Sequence, residues 1–285
     1  MNYFQLALRN ILRHKRRSFV TIITICLGFI ALGVLGGLLS NVFSQLKGQA
    51  VVVEKLGHLT IAKKGFQKKG KIEPEKYLWE EEELNSIMSA IQKDDAVNIV
   101  TPRLSLFGIA SNGTASTIFL TEGVDPKGDQ TLIKTPIDGR TKTSGAITLN
   151  GAEQTDVAIG EELAENLGLS EGDMLTLLVT TKDGLANAMD VNITQVYNTG
   201  NPSTNDKFIL MDFSLAQELY DSQGAQRLVL TLNNLDNIDK DADRIVNTLK
   251  GMGHDVEIHK WNDLSSFYSK VTTLFNVLFL SLIHI

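Results

Sequence analysis

The first 53 residues contain no acid. They hold six basic residues, Arg9, Arg13, Lys15, Arg16, Arg17 and Lys47, and neither Asp nor Glu. Residues 54–285 carry all 33 acids against the other 21 basic residues. So acidic a body repels phosphate backbones, which excludes nucleic acid as a partner. Cysteine is nearly missing too. Cys26 stands alone, so no disulfide can form within the chain. There is no G-x-x-x-x-G-K-[ST] loop to cradle a nucleotide and no G-x-S-x-G elbow. The five histidines, His14, His58, His254, His259 and His284, lack metal-ligand spacing. These absences argue against an enzyme on this chain and imply no catalytic residue, metal site or cofactor.

What is present is a long apolar run. Ser18 to Leu46 is 29 residues without a charge. As a helix it would be about 44 Å long, and about 20 residues suffice to cross the hydrocarbon core. A cleaved signal peptide fits poorly, because its apolar region is shorter and ends at a small-residue site that is missing here. Five basic residues precede the run and only Lys47 and Lys55 follow closely. The positive-inside rule then puts the N-terminus in the cytoplasm, with Arg13, Lys15, Arg16 and Arg17 setting the orientation, and the acidic body outside. Gly33 and Gly37 form a small-xxx-small pair, readable as a helix-packing face or as ordinary membrane-helix glycine. Before the run, Phe4, Ala7, Leu8, Ile11 and Leu12 share one helical stripe, with Arg9, Arg13 and Arg17 off it. Residues 1–17 read as an amphipathic helix on the cytoplasmic surface, or as a plain extension of the span.

Residues 47–264 read as a mixed α and β region. "GHLTIAK" (57–63) alternates as a strand, and 80–93 is a helix with Leu84, Ile87, Met88 and Ile91 on its apolar stripe. The Glu80–Glu83 run sits at that helix's N-terminus, where acids favour the dipole. Residues 97–124 read as two strands around an Asn112-Gly113 turn. Residues 157–184 read as strand, short helix, a stop at Gly168, strand and a turn at Lys182-Asp183-Gly184. Then come a strand at 206–212, a helix at 214–220, a strand at 226–232, a helix at about 237–250 and a strand at 255–261. Glu122, Asp125 and Asp129 flank turn residues and read as turn caps. "KKGFQKKGK" (63–71) reads as a solvated basic loop. The ends form two βαβ units, 57–101 and 226–261, which predicts one shared ferredoxin-like sheet. The hairpin-rich middle, 102–222, becomes a β-rich insert. The fold class is therefore an α+β membrane protein: one N-terminal transmembrane helix (18–46), a two-part outer domain, and the start of a second transmembrane helix (265–285).

Several phrases carry a family resemblance. "LALRNILRHKRRSFVTIITI" at the N-terminus, "GHLTI" at 57–61, "TEGVDP" at 121–126, "LAENLGLSEGDMLTLL" at 163–178 and "FSLAQELY" at 213–220 together resemble permease subunits of ABC transporters in the MacB, lipoprotein-release (LolC/LolE) and FtsX superfamily. The resemblance implies four membrane helices, a large outer domain between the first two, and a bacterial inner-membrane location. It implies a separate cytoplasmic ABC ATPase, a second permease copy or paralogue as dimer partner, contact with membrane lipids, and a lipoprotein, lipid or peptide as cargo. It also places the ATPase-coupling surface on the N-terminal helix, at Phe4, Leu8, Arg9, Ile11, Leu12 and Arg13. The hairpin at 180–191 is shorter than the arm with which LolC-type subunits dock a soluble carrier. A second class stays open: an FtsX-like regulator that moves no cargo and acts on an extracytoplasmic partner such as a cell-wall hydrolase. Outer-domain size favours the transporter.

From Val271 to Ile285 the only titratable residue is His284. A span beginning near Phe267 needs to reach about residue 290, and an intramembrane histidine is costly. "LSLIHI" (280–285) is also what CTG TCT CTT ATA CAC ATC encodes, the mosaic end of a transposase used for sequencing libraries. The expectation is that these residues are foreign and that the native sequence departs after Phe279 or Leu280.

Overall fold

A computed structural model describes residues 13–70, 72–137, 146–149 and 153–283. The chain divides into two compact units, Met1–Leu46 and Lys47–Ile285. The N-terminal unit holds most of helix α1 (Lys15–Gly48). Phe19, Ile25, Leu27, Phe29 and Leu32 on α1 are all exposed. With the π-helical turn Gln49–Val53 that follows, it is the one helix among the described residues that is long and apolar enough to cross a membrane.

The second unit is organised by one long strand, β2 (Val97–Ser111). Its β-branched and aromatic residues suit a pleated surface. Its 15 residues are enough to serve two sheets in turn. The first half, Val97 to Arg103, pairs antiparallel with β8 (Arg227–Leu232). Beyond β8 lie β1 (Leu59–Lys63) and β9 (Val256–Lys260), both antiparallel to their neighbours. The order is β9-β1-β8-β2. Helices α3 (Glu81–Gln92) and α7 (Ile238–Gly251) cover this sheet. Leu84, Ile87 and Ile91 from α3, and Ile245 and Leu249 from α7, meet Leu59, Ile61, Leu228 and Leu230 in one core.

The second half of β2 pairs with β3 (Ser116–Val124) and, at Gly108 to Ser111, with β5 (Met174–Thr180). From β3 the pairing continues to β7 (Phe208–Asp212), β4 (Asp156–Gly160), β6 (Ala186–Tyr197) and back to β5. The six strands close into a ring, and closure removes the sheet edges that would otherwise seek partners. Leu104, Leu106, Phe119, Leu175, Leu177, Val191 and Ile209 fill the inside. Helices α5 (Glu161–Leu167) and α6 (Phe213–Tyr220) add Leu163, Leu167, Leu215 and Leu219 to that core. Trp79, fully buried, bridges in antiparallel fashion to Ala225 just ahead of β8.

Three local readings need correction. The β2–β3 loop spans residues 112–115, because Ser111 pairs with Ser116. Asn112 Oδ1 accepts the amides of Thr114 and Ala115, which stabilises a four-residue loop over a two-residue turn. The basic stretch 63–71 contains a helical turn, α2 (Phe66–Lys69), and Lys63 pairs with Glu83 at 3.0 Å. Residues Pro126–Ile133 form helix α4, which hydrophobic spacing alone did not indicate. A final pair of helices, α8 (Trp261–Leu264) and α9 (Ser266–Ile283), ends the described chain.

Candidate functional site

The chain leaves the π-helical turn through an elbow, residues 54–58. Ala50, Val51 and Val52 are fully buried, and Val51 and Val52 pack with Ile133, Ile137 and Trp261. Two left-handed residues turn the elbow, Lys55 at φ 55° and Gly57 at φ 63°. Gly57 is needed as glycine. A methyl group there would lie 2.6 Å from both the Leu230 carbonyl oxygen and a Val229 methyl. Lys55 has no such excuse, and a non-glycine residue in this region costs free energy unless its surroundings hold it.

They hold it through a buried ion cluster. Lys55 Nζ donates to Asp129 Oδ2 at 2.6 Å and to the Ile147 carbonyl at 2.8 Å. Asp129 Oδ1 faces Arg103 Nη2 at 3.4 Å. Arg103 Nε lies 3.5 Å from Glu122 Oε1, and Glu122 Oε2 accepts from Arg227 Nη2 at 2.6 Å. Arg227 Nη2 also reaches Ser105 Oγ. The side chains of Arg103 and Asp129 are wholly buried. Five charged groups thus come from five elements: the elbow, β2, β3, α4 and β8. Arg103 and Arg227 are direct cross-strand partners, a like-charge pairing made tolerable by the negative charge of Glu122, which bonds Arg227 and faces Arg103. Helix α4 can approach β2 because residue 128 is glycine; a methyl there would sit 2.1 Å from Thr101 Cγ2. Asp125 caps the helix by accepting from Gly128 N–H.

Burial pushes the Lys55 ammonium pKa down, and the Asp129 carboxylate offsets part of that fall. Burial likewise opposes the Arg103 charge, with Asp129 and Glu122 pulling the other way. Both oxygens of Glu122 and both of Asp129 are engaged. The cluster is therefore built to hold elements together. Beside it is a cavity of about 160 Å³ lined by Glu54, Lys55, Glu122 and Tyr197. Burial raises the pKa of the Tyr197 phenol, and Asp129 and Glu122 add to the effect. Glu54 is raised by burial, countered by a hydrogen bond to Ser265. Ser265 lies just before α9, so the elbow also touches the root of that helix. His58 completes the elbow. Its Nδ1 accepts from Leu232 N–H at 2.9 Å, and its carbonyl accepts from Trp261 N–H. Burial is the first cause, and Lys47 the second, of a His58 pKa lowered to about 4.

Of the residues singled out in the sequence, Arg13, Lys15, Arg16 and Arg17 are exposed. Phe4, Leu8, Arg9, Ile11 and Leu12 lie outside the described residues, as does His284. At Gly33 and Gly37 a methyl group would meet open space within this chain. Asp125 is the cap it was read to be. Glu122 and Asp129 are not turn caps: their side chains turn inward and pair with buried cations. A signal for this was available, since Arg103 falls in an apolar strand, directly after Pro102, where a solvated charge has no place. His254 and His259 pair with Glu83 and Glu257. Among the described residues no group of three or more His, Cys, Asp or Glu could hold a metal ion.

Residues 18–248 match the family described as the MacB-like periplasmic core domain. Comparison with curated protein sequences gives no match. Among solved structures the chain is similar to the periplasmic region of MacB from Actinobacillus actinomycetemcomitans. The identity is 12%, with a TM-score of 0.48, covering 72% of this chain and 89% of that one. It is also similar to the extracellular domain of the noncanonic ABC-type transporter YknZ from Gram-positive bacteria. There the identity is 16% and the TM-score 0.46, covering 70% of this chain and all of that one.

Proposed function

The chain belongs to the family of MacB-like periplasmic core domains, and from that premise we propose that it is the permease subunit of a MacB/LolC-E-like ABC transporter. In this reading α1 spans the inner membrane, the N-terminus is cytoplasmic, and the second unit is extracytoplasmic. The β9-β1-β8-β2 sheet is its ferredoxin-like half. ATP hydrolysis takes place on a separate subunit, and this chain converts it into motion of the outer domain. The cargo is a lipoprotein, lipid or peptide, and the working unit is a dimer.

The observation that carries the reading is the buried elbow at the start of the second unit, where Lys55 ties residues 54–58 into an ion cluster shared by both sheets. A loose elbow would absorb displacement, whereas one fixed by packing and by paired buried charges transmits it. The experiment uses full-length permease with its ATPase in lipid nanodiscs. Replacing Leu8 and Ile11 with Asp should lower stimulated ATP hydrolysis or co-purification of the ATPase at least fivefold. Lys55→Arg, which keeps the charge but changes its fit in the buried cluster, should leave assembly intact and reduce the response of hydrolysis to cargo. Unchanged assembly and turnover in the first variant would reduce the N-terminal helix to a surface anchor.

A further inference from the structure

The ion cluster at the elbow leaves one charge over. Lys55, Arg103 and Arg227 are balanced by three acids: Asp129, Glu122 and Asp125, the last acting on Arg103 through space. Glu54 follows none of these pairings. Among the described residues no cation lies within ion-pair distance of its carboxyl. Burial raises its pKa, and a hydrogen bond with Ser265 is the counterweight. A carboxylate can accept about four hydrogen bonds, so most of its capacity is unused. Glu54 lines the cavity of about 160 Å³ beside the cluster. Tyr197, at the end of β6, lines it too. The causes acting on its phenol are burial and the charges of Asp129 and Glu122, and among the described residues no hydrogen bond counters them. The phenol oxygen therefore sits in negative potential, which suits a positively charged N–H donor and disfavours an anion. Asn201, in the loop after β6, spends its side-chain oxygen on the Ser203 amide and leaves its Nδ2 for an acceptor. Val53 and Phe208 supply apolar wall.

We propose that the elbow cavity binds a short primary ammonium carrying an oxygen a few bonds away, the ammonium paired with Glu54 and Tyr197 and the oxygen accepting from Asn201. An ethanolamine lipid headgroup and a free amino alcohol share this chemistry. Size sets the class. A cavity of about 150 Å³ holds a molecule such as benzene, whereas drug-sized ligands need about 300 Å³ or more. Charge sets the sign. A half-buried carboxylate without a cation is costly, and a paired one is not. The other two charged lining residues do not compete for the ligand. Lys55 donates to Asp129 and to the Ile147 carbonyl, and both oxygens of Glu122 face arginines. A metal ion would ask for more ligands than one free carboxylate, and among the described residues no group of three or more His, Cys, Asp or Glu could hold one. An ammonium asks only for acceptors. The bound amine touches the elbow through Glu54 and the six-stranded ring through Tyr197. Occupancy therefore bridges the two and stiffens the joint, a regulatory role that goes beyond the transport reading.

The probe is isotope-labelled ethanolamine, added to the full chain in nanodiscs of phosphatidylglycerol alone. The expected result is saturable binding of one molecule per chain. Glu54→Gln should weaken it at least tenfold and Tyr197→Phe at least threefold. Ethylene glycol, of the same length but without the charge, should not compete at a tenfold excess. Nanodiscs that also contain phosphatidylethanolamine separate the two sources. Loss of labelled binding there assigns the cavity to the lipid headgroup, and unchanged binding assigns it to a free amine. Glu54→Gln keeps the shape of the side chain and should melt within a few degrees of the parent; if it does not fold, Tyr197→Phe carries the comparison. No saturable binding, equal competition by ethylene glycol, or unchanged affinity in the folded variants would overturn the proposal and leave the cavity to water. The assay contains no ATPase, so its failure leaves the permease reading standing, and failure of that reading leaves the binding site standing.

Discussion

Lys55 Nζ and Asp129 Oδ2 lie 2.6 Å apart although 74 residues separate them in the chain. The pair joins the elbow that follows α1 to a helix packed on β2. Both side chains are almost wholly out of water. Attraction in such a place strengthens, and so does the penalty for a charge left alone.

Removing both partners is therefore expected to cost less than the two single removals added together. Lys55→Met alone should destabilise by about 3–5 kcal/mol, because Asp129 keeps only Arg103. Lys55→Met with Asp129→Leu should recover at least 1 kcal/mol of the summed single costs. Urea unfolding of the four chains measures the coupling. Strict additivity would mean that the pair contributes nothing beyond its separate residues.

His58 gives a pH signature. Folding lowers its pKa from 6.5 to about 4 because the ring is buried and Lys47 adds positive charge. Between those values the unfolded chain binds more protons than the folded one. Stability from the neutral ring is complete above about pH 6.5 and is lost as pH falls towards 4, by about 3 kcal/mol in all. His58→Gln keeps an acceptor for Leu232 N–H and should flatten that slope. Melting curves across this range decide it, and equal slopes in parent and variant would assign the loss to carboxylates.

Two glycines test backbone against space. Gly57→Ala combines a left-handed φ with a methyl 2.6 Å from the Leu230 carbonyl. It should destabilise by more than 2 kcal/mol. Gly113→Ala has a φ of 87° in open space and should cost only about 1 kcal/mol. Denaturant midpoints of the two variants should differ in that order.

Much of the fold was legible because its elements follow simple periods. The α3 stripe of Leu84, Ile87 and Ile91 and the α7 stripe of Ile245 and Leu249 are the faces that are buried. Gly168 ends α5 with a φ of 61°, as a helix stop should. Helix α4 was missed because Pro126–Ile133 buries only Gly128, Asp129 and Leu132, and a buried aspartate breaks the apolar pattern. Placing the boundary between the ferredoxin-like sheet and the insert at residue 102 missed that one strand, β2, belongs to both sheets. Ring closure was hidden as well, since β3 meets β7 some 88 residues later and nothing local announces so distant a pairing. The ion cluster showed in the sequence only through Arg103, a charge inside an apolar strand, for the same reason. The other charges sit in segments that read as turns or strand ends, and only the tertiary fold brings Lys55, Arg103, Glu122, Asp129 and Arg227 together.

Topology is tested at Ser203, an exposed residue in the loop before β7 whose amide is held by Asn201 Oδ1. The five basic residues ahead of Ser18 should stay in the cytoplasm, which puts the second unit, and Ser203 with it, outside. Cys26 is the single native thiol and is exposed on α1, so it is first replaced by Ala. A Ser203→Cys chain in intact cells should then react fully with a membrane-impermeant maleimide, and a Ser18→Cys chain should react only after permeabilisation. Reversing the charge balance, with Arg13, Lys15, Arg16 and Arg17 all changed to Glu, should lower the intact-cell labelling of residue 203. Labelling of residue 203 that needs permeabilised cells in the parent sequence would invert the model.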